Sequence, residues 1–138
     1  MAKFAVKAKL LENVKLITEN DRGQNVICDL PEDSGGTNSG PTPLELGIMS
    51  LAACGVIIFA NVCKNSKIDP GKVEVNVEAE KTASSPVIKN VSMKVNVTSK
   101  TRKSLLEAAW RRTEANCPMV FVFRENIPIK VEFEVKEQ

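Results

Sequence analysis

Three short stretches near the start of the chain carry the period-two pattern of strands. Phe4–Leu10 alternates apolar with polar residues, Val14–Thr18 follows a break at Glu12-Asn13, and Val26–Leu30 is a third apolar run. Asn20-Asp21-Arg22-Gly23 is a turn signature between the last two, so the pattern predicts an antiparallel meander. Residues 31–41 (PEDSGGTNSGP) are dense in Gly, Ser, Asn and Pro and read as a loop. A helix start follows. Thr42 suits the N-cap, Pro43 the first helical position, and Glu45 stands at cap plus three.

The helix is expected to run through residues 44–67. Residues 46–63 form an uncharged run of 18, which reaches the lower limit for a membrane span. The run nevertheless contains Ser50, Asn61, two Gly and three Ala, and its flanks are amphipathic strands. A buried central helix of a soluble domain is therefore the reading, with no membrane as partner. Ala52, Ala53 and Gly55 allow another backbone to come close, and part of the cover is expected from a second subunit.

Beyond the break at Asp69-Pro70-Gly71, Lys72–Thr82 and Val91–Val97 both alternate strictly, joined by Ala83-Ser84-Ser85-Pro86. They predict a long hairpin with one dry and one wet face. Thr101–Asn116 reads as a second helix with Leu105, Leu106, Ala109, Trp110 and Thr113 inside. Met119–Phe123 stays open between a strand and a kinked continuation past Pro118. Ile129, Val131, Phe133 and Val135 alternate again and predict a final strand. The expected fold is a single α+β domain over residues 1–138, in the order βββ-α-ββ-α-β.

Composition narrows the chemistry. Five Phe, one Trp and no Tyr leave few stacking platforms, and a net charge of +2 is small; both argue against a nucleic-acid partner. There is no His, which removes Ser-His and Cys-His dyads and His-ligated metal sites. Cys28, Cys54, Cys63 and Cys117 contain no CxxC pair, so neither zinc nor a disulfide framework is indicated, and no cofactor is expected. The N-terminal MAKFAVKAKLL lacks the apolar core of a signal peptide. A cytoplasmic setting is expected, where thiols stay reduced unless they are redox-active.

A thiolate is the nucleophile that needs least help here. Cys54 lies mid-helix in the most apolar segment, and Cys117 closes the second helix just before Pro118, which can aim its side chain out of a regular groove. Cys28 and Cys63 read as packed hydrophobes. From the residues alone, a buried structural role is the better account of any single one of the four.

Two motifs carry a resemblance. Gly40-Pro41-Thr42-Pro43-Leu44-Glu45-Leu46 followed by Leu51-Ala52-Ala53-Cys54-Gly55, and then Glu114-Ala115-Asn116-Cys117-Pro118, are similar to the two signatures of the OsmC/Ohr family, in order and about sixty residues apart. The resemblance covers the whole chain. It implies an intertwined homodimer with antiparallel sheets around a long buried helix, and a thiol peroxidase acting on organic hydroperoxides. Cys54 would be the peroxidatic thiolate, passing through a sulfenic acid, and Cys117 would resolve it as a disulfide. A dithiol reductant, a lipoyl-bearing protein, would then reopen that bond. Glu45 matches a glutamate that holds an arginine against the peroxidatic Cys. Its bland role is a capping-box residue.

The chain departs from that pattern at two points. The family's arginine lies in the first meander, where only Arg22 is available, and Arg22 is equally well explained as a turn residue. Arg124 is the next candidate cation. Gly55 and Val56 follow Cys54 where many relatives place Phe. The alternative functions are a non-peroxidatic dimer of the same fold that binds a small apolar ligand, a hot-dog-type thioesterase, and a plain interaction module. The thioesterase is disfavoured by the second helix with its Cys-Pro and by the lack of an acidic base in the central helix beyond Glu45.

Overall fold

The structure, a computed structural model, describes residues 1–136. Three strands, β1 (Val6–Glu12), β2 (Lys15–Asn20) and β3 (Asn25–Cys28), form an antiparallel sheet in the order β1-β2-β3. A 3₁₀ turn at Glu32–Ser34 leads to helix α1 (Pro43–Asn65), which is followed by the hairpin strands β4 (Lys72–Lys81) and β5 (Ile88–Thr98), and then α2 (Lys103–Asn116) and α3 (Pro118–Arg124). The chain divides into two compact units. One is Met1–Ser50 with Val77–Ser92; the other is Leu51–Asn76 with the chain from Met93 on.

In the first unit, the meander follows the polar pattern and its turns follow side-chain chemistry. Asn13 takes the left-handed conformation at the β1–β2 turn, with φ 50°. At the β2–β3 turn, the Asn20 carboxamide oxygen accepts from the N–H groups of Arg22 and Gln24, both at 3.0 Å. The loop beyond β3 is fastened by a buried carboxylate. Asp29 Oδ2 accepts from the Thr37 hydroxyl at 2.7 Å and from the N–H groups of Thr37 and Ser39, while Oδ1 accepts from the Leu30 N–H. These bonds, the Thr37 hydroxyl foremost, hold Asp29 far below the ordinary carboxylate range against the opposing effect of burial. Gly36 sits where a Cβ would run into the Leu30 carbonyl. The loop then delivers Thr42 to the start of α1, where the predicted capping box forms. The Thr42 N–H donates to Glu45 Oε1 at 2.9 Å, and the Glu45 N–H donates to Thr42 Oγ1 at 3.1 Å.

In the second unit, one stripe of α1 (Leu51, Gly55, Phe59 and Cys63) is buried at the spacing of four that keeps residues on one helical face. Phe59, Cys63 and Ala109 form the core, joined by Val62, Ile68, Val73, Val97, Leu106 and Trp110. Phe59 and Trp110 pack as tilted rings 5.8 Å apart. Thr113 is fully buried, and its hydroxyl is satisfied by the Ala109 carbonyl at 2.9 Å. After the chain leaves α1, Ser99 and Thr101 both donate a hydroxyl to the Asp69 carbonyl at 2.7 Å, which ties the entry of β4 to the exit of β5.

Two expectations need correction. The final strand is absent: Ile129, Val131, Phe133 and Val135 lie in a segment without regular structure, each at least 77% exposed. A strand exists only by pairing, and among the described residues no edge pairs with this one. Met119–Phe123, which the sequence leaves open, is helical. Leu105 is exposed rather than inside, because it lies to the side of the Leu106–Ala109–Thr113 line. In α1, Leu51, Gly55, Phe59 and Cys63 are buried, while Met49 and Ile57 are exposed at 53% and 67%. By length and composition alone α1 could cross a membrane.

At Gly55, side chains of both α2 and the hairpin come close to α1. A Cβ there would meet the Trp110 ring at 3.4 Å, the Met93 methyl at 3.5 Å and Val75 at 3.8 Å. One methyl fits at ordinary contact distance and a larger side chain does not. Gly55→Ala is therefore expected to fold, with up to ~1 kcal/mol of helix-propensity gain. Gly55→Leu is expected to lose about 1–3 kcal/mol by overpacking. Urea denaturation of the two variants reads the opposite signs.

Candidate functional site

Cys54 and Cys117 come together inside the second unit, with Sγ–Sγ 2.9 Å and both thiols free. Two local rules bring them there. Cys54 follows Ala53 on α1, one position before the Gly55 contact with Trp110, so it stands at the margin of the packed stripe and is half-buried. Cys117 is held by Pro118. A residue before proline is driven out of the helical region, and Cys117 accordingly has φ −82° and ψ 111°. That extended residue ends α2, and Pro118 opens α3 at a position where its missing N–H costs nothing. The break turns the Cys117 side chain inward, where it is fully buried.

The two thiols are therefore unequal. Cys54 can be approached from outside and Cys117 cannot. Burial above all, and then the hydrogen bond with Cys117, push the Cys54 thiol up from its ordinary value; the Met119 backbone N–H acts in the opposite direction. No cation is among these influences. The distance suits chemistry between the two sulfurs: they are in direct contact, yet farther apart than the ~2.05 Å of a disulfide.

The other residues singled out in the sequence are placed as follows. Glu45 is in the first turn of α1, and its carboxyl is lowered by the Thr42 N–H first and the Thr42 hydroxyl second. Arg22 is exposed on the β2–β3 turn. Among the described residues neither Arg22 nor Glu45 forms an ion pair. Arg124, the reserve cation, is engaged instead by Glu114, with Nη2–Oε1 at 2.6 Å. Cys63 lies in the core, its thiol raised by burial foremost, with Arg112 lowering it and Asp69 raising it. Cys28 is packed in the first unit at 1% exposure. Sequence reasoning missed the Met119 N–H and the Glu114–Arg124 pair. Opposite charges flanking the Cys-Pro corner were the available signal for the latter.

A cavity of about 470 Å³ opens between α1, β5 and α2; neither Cys54 nor Cys117 lines it. Phe59, Val95, Leu106 and Trp110 form its apolar wall and Lys103 and Arg111 its charged rim.

With this geometry in hand, comparison with known proteins is specific. Residues 36–132 match the family model of the OsmC-like protein. An OsmC-like protein from Mycoplasma pneumoniae has the same fold, with a TM-score of 0.77 at 16% identity, over 89% of this chain and 88% of that one. An organic hydroperoxide resistance protein from Legionella pneumophila superposes with a TM-score of 0.68 at 21% identity, over 91% and 92%. Another from Elizabethkingia anophelis does so at 0.67 and 18%, over 91% of each chain. No curated protein sequence matches the chain.

The unequal thiols lead to a titration test. In the reduced protein, the Cys54 absorbance midpoint is expected above that of an ordinary thiol, since its protonated form is favoured. Cys117→Ala removes a raising influence, so the midpoint should fall yet stay above the ordinary value, because burial is the larger cause. A midpoint that rises in the variant contradicts the assignment.

Proposed function

Since the chain belongs to the OsmC-like protein family, we propose that it is a thiol-dependent peroxidase that reduces organic hydroperoxides through Cys54 and Cys117. The observation that carries this reading is the 2.9 Å approach of one accessible and one buried sulfur. In the proposed cycle the Cys54 thiolate attacks the outer peroxide oxygen. The O–O bond breaks, the alcohol leaves, and Cys54 becomes a sulfenic acid. The Cys117 sulfur then attacks the Cys54 sulfur; the S–O bond breaks, and the hydroxyl leaves as water with the Cys117 proton. A dithiol reductant, of the lipoyl type, supplies two electrons and reopens the disulfide.

Burial opposes the thiolate this cycle needs, so activation calls for a cation. Arg22 is the proposed source, held by Glu45 within one subunit or across a dimer, since a guanidinium fork can hold a carboxylate and a peroxide oxygen together. The proposed assembly is a homodimer in the cytoplasm. Two surfaces support it: the α1 face bearing Met49 and Ile57, and the alternating segment Ile129 to Val135, which is a strand in pattern but pairs with no strand among the described residues. A second copy supplies the edge such a segment needs. The cavity lined by Phe59 and Trp110 favours the second reading, a dimer that binds a small apolar ligand without turnover.

The deciding experiment is consumption of an organic hydroperoxide with a lipoyl donor. Wild type should turn over, Cys54→Ser should lose activity by orders of magnitude, and Arg22→Ala should slow Cys54 oxidation at least tenfold. An inactive wild type whose Trp110 fluorescence responds to apolar ligands would establish the second reading. Light scattering at micromolar concentration is expected to give a dimer, and a monomer would sink the proposed assembly.

A further inference from the structure

We propose that the Glu114–Arg124 ion pair is a latch across the α2–α3 corner that positions Cys117 against Cys54 and sets how readily their disulfide closes. The inference rests on the two-thiol reading above. Glu114 stands three residues before Cys117, near the end of α2, and Arg124 is the last residue of α3. Their 2.6 Å contact therefore closes a ring of chain around Cys117-Pro118, and a guanidinium–carboxylate bond of that kind is short and directional.

Apart from the ion pair, the corner is held by the burial of Cys117 and Val120 and by the Val120 N–H on the Cys117 carbonyl at 3.2 Å. Pro118 has no N–H to give, and the Cys117 side chain caps neither helix. A helix of seven residues is too short to persist alone, and α3 buries only Val120. Cys54 is anchored differently. It rides on a helix of 23 residues whose Leu51–Cys63 stripe is packed. Of the two sulfurs, Cys117 is thus the one that sits at a break between helices, and the ion pair is the charged contact across that break. The Arg124 and Glu114 side chains are 56% and 44% exposed, so dissolved salt reaches the pair and weakens it.

The test reads the dithiol–disulfide equilibrium directly. The Cys54 and Cys117 thiols are equilibrated with mixtures of reduced and oxidised glutathione, in which two electrons pass from the protein dithiol to the glutathione disulfide. The closed fraction is measured by alkylation and mass spectrometry. Arg124→Gln and Glu114→Gln should each lower the closing constant by roughly three- to fivefold at low salt, the ceiling for an exposed pair. The gap to wild type should vanish near 1 M salt. Arg124→Lys should recover part of the loss. An unchanged constant in both Gln variants overturns the latch, and so does a loss that is equal at low and high salt, since that marks lost packing instead of a lost charge pair. If Arg124→Gln does not fold, Glu114→Gln carries the same reading. The equilibrium needs no peroxide, so failure of the peroxidase reading leaves the latch measurable, and the reverse holds.

Discussion

An apolar helix with a single packed stripe among its described residues is the constraint on which this structure turns. The Leu51–Gly55–Phe59–Cys63 stripe of α1 packs beneath the hairpin and α2, where burying Phe59 alone is worth about 2–3 kcal/mol. That stripe orients the helix about its axis. Once the axis is set, the rest of the face pattern follows: Gly55 under the indole of Trp110, Cys54 at the margin, and Met49 and Ile57 outward. The half-buried state of Cys54 is a consequence of where the packed stripe ends.

The second determinant is the Cys117-Pro118 dipeptide. Proline forbids the helical conformation at the preceding residue and so converts what would be one long helix into two. The chain gains a fixed bend at a cysteine. Because the bend is extended, the Cys117 side chain points inward and is removed from solvent, while its sulfur reaches Cys54. Access to solvent is thereby divided unequally between two residues of the same type. One can meet a reagent and the other can meet only its partner.

Electrostatics in the two units serve different ends. Asp29 and Glu45 are held ionised by backbone N–H groups and hydroxyls, and each fastens a loop or a helix start. Cys54 has the reverse environment, in which burial favours the neutral thiol. On the proposed peroxidase reading, activation therefore calls for a positive group from outside the α1–α2 pair.

Much of this was legible in the chain. The capping box at Thr42 and Glu45, the Asn20–Gly23 turn and the alternating hairpin are local chemistry, decided within a few residues, and they form as the pattern requires. The pairing of two cysteine motifs was also readable, though only as a resemblance, since spacing along a chain says nothing of distance in space. What the sequence could not decide is whatever depends on a partner. Ile129 to Val135 has the alternation of a strand, but a strand needs an edge and none among the described residues serves it. Met119–Phe123 has β-branched residues yet is helical, because Pro118 starts a helix well and Val120 finds cover. Arg124 could have served the thiols by its position in sequence; tertiary structure gave it Glu114 instead. Local rules determine elements and their ends, whereas burial, charge pairing and the 2.9 Å between two sulfurs arise only when distant segments share one space.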